Sequence, residues 1–377
     1  MILQFFEQWI SLCSPQTAVY FDITSISSYA TNLDFVEWGY NRDHESLPQI
    51  NMGIVSSKEG EFPLCYQVYP GSIADVSTLH NCLKRLEWLG IKDVVLILDR
   101  GFCSKANLLK LNKLKGTISF IQPLTFNFKL VKHLIKKHCR EIHKLPNAFK
   151  IKEEILYYHK TSVDWEGSAL TVHLYYNEKA GIDQRHNFLA KLLDFEKEIK
   201  STTFSSMKEY LTFRDQHLPD KFVKFFKLNR KSMTLVRNTR AINSHLVKAG
   251  YVLLLGNSDQ HERDTVLNYY RSRDIVEKMF DVEKNHLDGK RLRAHNEYNA
   301  DGRIFVKFIA LILHSTLNQA LRGNKTLSNY SVTEILAELS KITRSTINGK
   351  DLISEISKFQ RQILNALKIS HENLAQT

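Results

Sequence analysis

Asp93–Phe102, DVVLILDRGF, carries five consecutive apolar residues, Val94 to Leu98, closed by the carboxylate of Asp99. An unbroken apolar run of that length reads as a strand covered on both faces, the kind found in sheets flanked by helices. Folds of that class gather ligands at the carboxyl ends of such strands. Upstream, TAVYFDITSIS (17–27) repeats the pattern: Val19, Tyr20 and Phe21 lead to Asp22, which reads as a second carboxylate at a strand end. Outward from these two runs, strands are expected near 17–22, 50–56, 63–69, 93–98 and 117–121, with helices near 74–89 and 104–114. This alternation defines an α/β class without specifying its topology.

A third carboxylate stands in YYRSRDIVEKMFDVEKN (269–285), where Tyr270, Arg273, Glu277 and Lys284 are spaced by three, seven and fourteen residues. On one helix these positions fall within roughly 60° of one another. A stripe at that spacing is normally apolar and faces a core. Here it is polar, while Ile275, Met279 and Val282 on the far side are the expected burying residues, with Asp281 and Glu283 left as surface or supporting groups. A carboxylate between two cations suits a metal ion bound beside a phosphate backbone. Two strand-end aspartates and a helix glutamate can together hold a pair of magnesium ions. Taken singly, each aspartate reads first as a cap on the following turn, and Glu277 and Lys284 as solvated helix charges.

The joint arrangement resembles the catalytic part of a DDE transposase of the insertion-sequence-4 type. That family carries a Y-x2-R-x3-E-x6-K motif, and Tyr270, Arg273, Glu277 and Lys284 match each spacing. Further similar blocks occur in order: YFDITSIS (20–27), WGYNRDHESLPQINMGI (38–54), YPGSIADVSTL (69–79), LDRGFCSKANL (98–108) and LDGKRLRAHN (287–296). The resemblance implies a ribonuclease-H-like mixed sheet with flanking helices, interrupted by a mainly β insertion. The implied organisation is a first part of the core over 1–122, an insertion over 123–249, a second part of the core with the glutamate helix over 250–321, and a C-terminal helical region over 322–377. It also implies two Mg²⁺ ions, with Mn²⁺ as a substitute, held by Asp22 bridging both and by Asp99 and Glu277 at one each. Arg273 and Lys284 would contact DNA phosphates and Tyr270 the transposon end. The implied activity is cleavage at inverted-repeat ends and transfer of the freed 3′-hydroxyl into target DNA, by a homodimer assembled on DNA. Two other readings share these motifs: a metal-dependent nuclease without strand transfer, and an inactive DNA-binding relic. Only 21 residues precede Asp22, where the family usually places a helical DNA-recognising region, so a core lacking its end-binding domain is the expectation.

Composition agrees. With 52 Lys+Arg against 40 Asp+Glu the formal charge is +12, which favours a polyanionic partner. Two stretches, FNFKLVKHLIKKHCREIHK (126–144) and DKFVKFFKLNRKSMTLVRNTR (220–240), interleave cations with aromatic residues and read either as DNA contacts or as solvated basic faces. Within the first, His138, Cys139 and His143 resemble a metal cluster but sit among lysines, so a basic helix face is expected. Trp165 reads either as packing or as a base-stacking residue. Five scattered cysteines without a CxxC indicate reduced thiols. The most apolar segment, Ile304–Leu321, contains Lys307 and His314 and is expected as a helix on the sheet, not a membrane span. The N-terminus lacks the pattern of a signal peptide. The expected location is therefore the cytoplasm, a bacterial cytoplasm or nucleoid by the resemblance.

Overall fold

The computed structural model describes residues 2–13, 15–165, 167–199, 203–347 and 350–370. It divides into two compact units, residues 1–122 with 265–377, and residues 123–264. The first begins with α1 (Ile2–Leu12) and continues through β1 (Ala18–Ser27), β2 (Gln49–Ser57), β3 (Pro63–Pro70), α2 (Asp75–Trp88), β4 (Val94–Leu98), α3 (Lys105–Lys113) and β5 (Ile118–Pro123). The five strands lie in the order β3-β2-β1-β4-β5. β1, β2 and β3 are successive antiparallel neighbours, whereas β4 runs parallel to β1 and β5 parallel to β4. This is a mixed sheet flanked by helices.

Each strand expected in this region is present, but β1 runs five residues past the expected end at 22. β2 pairs along its whole length, from Val19↔Ser57 to Ser27↔Gln49, and the buried hydroxyls of the polar TSIS segment find partners. Ser27 Oγ donates to Glu45 (2.6 Å), and Ser25 Oγ accepts from Arg42 (3.0 Å). A buried hydroxyl with a partner is no obstacle to a strand. On one face Phe21 packs on Phe102, with ring centres 5.2 Å apart. Gly53 lies beside Phe21 in β2, where an added Cβ would stand 2.8 Å from the ring.

The second unit contains α4 (Lys129–Ile142), β6 (Ala148–Ile151), β7 (Glu154–Trp165), β8 (Ser168–Tyr176), α5 (Glu178–Ile199), α6 (Met207–His217), α7 (Asp220–Val223), β9 (Phe226–Asn229), β10 (Thr234–Arg237), α8 (Thr239–Leu246) and β11 (Tyr251–Gly256). β6, β7, β8 and β11 pair antiparallel in that order, and β9 pairs with β10. The helices are as prominent as the strands. They enclose a core of Phe188, Leu192, Leu218, Phe222, Phe225, Phe226 and Ile242. Strand 251–256, read from the sequence as the resumption of the catalytic core, pairs with β8 (Tyr251↔Tyr176) and falls in this unit, which ends at 264.

The chain then continues through α9 (Arg263–Arg271), α10 (Asp274–Asp281), a π-helical turn (Val282–His286), α11 (Glu297–Arg322), α12 (Val332–Leu339), β12 (Arg344–Ile347), β13 (Lys350–Ile353) and α13 (Lys358–Ala366). α10 packs on β1 and β2, while α1 and α11 cover β3. Phe6 meets Tyr66 and Phe308 edge-on, each at 5.4 Å. Among the described residues, α11 is the one helix long and apolar enough to cross a membrane by length and composition. It buries Ile304, Phe308, Leu311 and Ile312 in this unit. Capping boxes at Ser331/Glu334 and Ser357/Gln360 start α12 and α13. The C-terminal region, expected to be helical, also carries the β12–β13 hairpin.

Candidate active site

The last parallel pair of β1 and β4 is Phe21↔Leu98, so Asp22 and Asp99 occupy the next position on adjacent strands, about 5 Å apart by strand spacing. Asp99 follows β4 at its end, as expected. Asp22 does not end its strand: it lies within β1, opposite Ile54, because β2 holds the chain extended to Ser27. By the two-residue alternation of a strand, Asp22 faces the same side as Tyr20, Thr24 and Ile26, the side that α10 covers.

Asp22 Oδ1 accepts the Ile23 N–H at 2.8 Å. Burial pushes the Asp22 carboxyl up to about 6; repulsion from Asp99 adds to this, and the Ile23 N–H, Arg273 and Arg42 oppose it. The backbone of Asp99 is held by Gln122, whose Nε2 donates to the Asp99 carbonyl at 3.0 Å. Its side chain pairs with Arg273.

Tyr270, Arg273, Glu277 and Lys284 do not form one continuous helical stripe. α9 stops at Arg271 and α10 begins at Asp274, so Arg273 sits at the break. α10 buries Ile275, Val276, Met279 and Phe280 and presents Glu277 on its open side, where Arg273 Nη2 donates to it at 2.7 Å. One guanidinium thus reaches both Asp99 and Glu277, and Asp22 lies close enough to feel Asp99 and Arg273. The three predicted carboxylates are brought together by β1, the end of β4 and α10.

Lys284 is directed elsewhere. The π-turn changes the rotation per residue after Asp281, and Lys284 Nζ contacts both Asp43 carboxylate oxygens, at 2.9 and 2.7 Å. Tyr270, in the last turn of α9, is half-buried. The same turn reverses two expectations: Val282 is only partly buried, and Glu283 is 2% exposed. Lys307 Nζ stands 4.0 Å from Glu283 and donates to the Asp288 carbonyl at 3.1 Å. Burial raises the Glu283 carboxyl. Gly289 permits the fit, since a Cβ there would lie 2.0 Å from Glu283 Oε1. The segment after Gly289 returns to β1, where the Leu292 N–H donates to Ser27 O (2.9 Å) and Arg291 pairs with Glu45 (2.6 and 2.7 Å).

Sequence reasoning recognised the blocks WGYNRDHESLPQ and YPGSIADVSTL but assigned no residue in them. Arg42 pairs with Asp75 and donates to Ser25 on β1 (3.0 Å), so both blocks close around the strand that carries Asp22. In the second unit, His138, Cys139 and His143 do not converge. His138 packs against His159 with tilted rings (4.3 Å), Cys139 bonds to the Lys136 carbonyl, and His143 contacts the Tyr251 hydroxyl (3.2 Å). Trp165 meets Phe128 edge-on at 5.6 Å, in a packing role.

Among the described residues no three His, Cys, Asp or Glu side chains stand at metal-binding separation; Arg273 neutralises two of the three carboxylates. The donor set nonetheless fits a hard divalent cation. It is all carboxylate oxygen, with no sulfur or imidazole, which suits Mg²⁺ or Mn²⁺ rather than zinc. Asp22 adds a partly buried carboxylate, its pKa raised by burial, with no ion pair of its own among the described residues.

No curated protein matches the chain. A solved structure described as a cryo-EM structure of a piggyBac transposase synaptic complex with hairpin DNA is similar over 81% of this chain and 47% of that chain, at 9% identity and a TM-score of 0.41. This chain therefore spans about half the length of that protein. The family described as the transposase DDE domain matches residues 14–313, a span that holds all three carboxylates, and its members generally use divalent metal ions. The chain belongs to the transposase DDE domain family.

Proposed function

We propose that this protein is a DNA transposase of the insertion-sequence-4 type, cleaving DNA at transposon ends and joining the freed ends to target DNA. The observation that carries the reading is the meeting of Asp22, Asp99 and Glu277 around Arg273. In the proposed site Asp22, Asp99 and Glu277 would hold two Mg²⁺ ions, for which Mn²⁺ could substitute. Bound there, divalent ions would lower the pKa of an attacking hydroxyl and stabilise charge on the leaving oxygen.

The chain's own residues position these groups. β1 and β4 fix the two aspartates side by side, and the packing of α10 on β1 sets the approach of Glu277. Arg273 pairs with Asp99 and Glu277, and a guanidinium at this position would also suit a phosphate beside the scissile bond. Tyr270, three residues before Arg273 and in the last turn of α9, would orient the transposon end. Lys284 contributes through Asp43, tying the loop after β1 to the end of the glutamate helix, and would contact DNA only after leaving that pair. DNA is the proposed partner, bound as a homodimer.

The test is incubation with Mg²⁺ and labelled DNA bearing the inverted repeats that flank the coding element, comparing wild type with Asp22→Ala, Asp99→Ala and Glu277→Ala. Cleavage at the repeat boundary with joined products, lost in all three variants, is expected. Nicks without joined products would replace the reading with that of a nuclease. Retained DNA binding without cleavage by wild type would refute it.

A further inference from the structure

The two basic stretches at 126–144 and 220–240 meet within the second unit. α4 buries Val131, Leu134, Ile135 and Ile142 and exposes Lys132 among its cations. Lys248, after α8, donates to the Phe126 carbonyl at 3.2 Å, and its ammonium lies 5.5 Å from the centre of the Phe126 ring. Lys224, closing α7, lies 5.1 Å from the centre of the Phe225 ring. Between them His245 packs on Phe188 (4.3 Å) and Phe225 (5.2 Å), in a cleft also lined by Lys191 and Lys221.

The charges in this cleft are of one sign. Burial, then Lys132 and Lys224, lower the affinity of Lys248 for its proton; burial, then Lys224 and Lys248, do the same to His245. Among the described residues none of Lys132, Lys224 and Lys248 has a carboxylate partner. The repulsion of Lys248 by two other ammonium groups costs free energy that an anion would recover. The rings beneath them offer apolar surface beside that anion, and phosphate with an adjoining sugar or base meets both requirements.

We propose that this cleft, lined by Lys224 and His245, binds the phosphate backbone of DNA together with the neighbouring Lys248 and Lys132. That the polyanion is DNA rests on the transposase reading; that the cleft takes phosphate does not.

The experiment uses the whole chain in EDTA, so that no cleavage intervenes. Anisotropy of a labelled duplex is followed against salt for wild type, Lys132→Gln, Lys224→Gln and Lys248→Gln. In parallel, the imidazole resonance of His245 is titrated with pH, with and without inorganic phosphate. Each substitution is expected to weaken binding and to reduce the salt slope by about one. Phosphate is expected to raise the His245 midpoint in wild type and to leave it unmoved in Lys224→Gln/Lys248→Gln. Lys132 is exposed on α4, so its substitution tests the cleft without disturbing packing. Unchanged salt slopes together with a His245 midpoint indifferent to phosphate would overturn the proposal. A slope change in a protein that fails the cleavage test would instead refute the transposase reading and leave the cleft standing.

Discussion

Replacing Asp22 by asparagine should stabilise the metal-free protein at neutral pH. The Asp22 carboxyl titrates at about 6 in the folded protein, against an ordinary value of 3.8, chiefly because burial opposes its charge. Because the folded-state pKa is raised, the destabilisation is absent below the unfolded-state value. It grows as pH rises from about 4 to 6 and is complete above that window. A shift of about two units corresponds to about 3 kcal/mol at pH 8. Asparagine keeps an oxygen that can accept the Ile23 N–H while removing the charge. In urea unfolding with EDTA, Asp22→Asn should therefore exceed wild type by up to about 3 kcal/mol at pH 8 and match it near pH 4. Adding Mg²⁺ or Mn²⁺ should then close the gap by stabilising wild type alone. Equal stabilities at pH 8, or a less stable variant, would refute the claim that Asp22 is held at an energetic cost.

Other consequences follow from the same geometry. Gly289→Ala should destabilise the protein by about 2 kcal/mol or more, since the new Cβ meets Glu283; a thermal melt within a degree of wild type would contradict that packing. A double-mutant cycle on Lys284→Met and Asp43→Asn should give a coupling of about 1 kcal/mol that weakens with salt, and no coupling would mean that Lys284 is not tied to the loop after β1. His173, buried beside the Tyr158 hydroxyl at 2.9 Å, has its pKa lowered to about 4, mainly by burial. Its imidazole should therefore stay neutral down to pH 5 by NMR, and the stability it permits should be lost as pH falls from about 6.5 toward 4.

Much of the first unit was legible because its signals are local. Val94–Leu98 is a continuous apolar run, and the strands and helices up to residue 122 follow from runs of the same kind. The strand expected near 17–22 runs on to Ser27, because the buried hydroxyls of Ser25 and Ser27 find partners in the loop at 41–45 that only the fold supplies. Helical spacing correctly put Arg273 beside Glu277 but could not foresee the π-turn. That turn sends Lys284 to Asp43 and Glu283 into the interior, beside a lysine 24 residues further on. Nothing local in VEKN marks Glu283 as buried; Gly289, six residues later, is the one hint, and it has meaning only once the contact is known. Arg42 and Asp75 lay in recognised blocks, yet their pairing across 33 residues depends on how the loop after β1 folds back on the sheet. The meeting of the 126–144 and 220–240 stretches was likewise invisible, because Lys248, which joins them, belongs to neither.

The proposed function requires that Asp22, Asp99 and Glu277 form one divalent-cation site. Titration of Mn²⁺ followed by electron paramagnetic resonance addresses it directly, without requiring DNA or turnover. Wild type is expected to bind Mn²⁺, and Asp22→Asn, Asp99→Asn and Glu277→Gln each to weaken binding at least tenfold, about 1.4 kcal/mol or more. Equal Mn²⁺ binding by wild type and all three variants, or none by wild type, would contradict it.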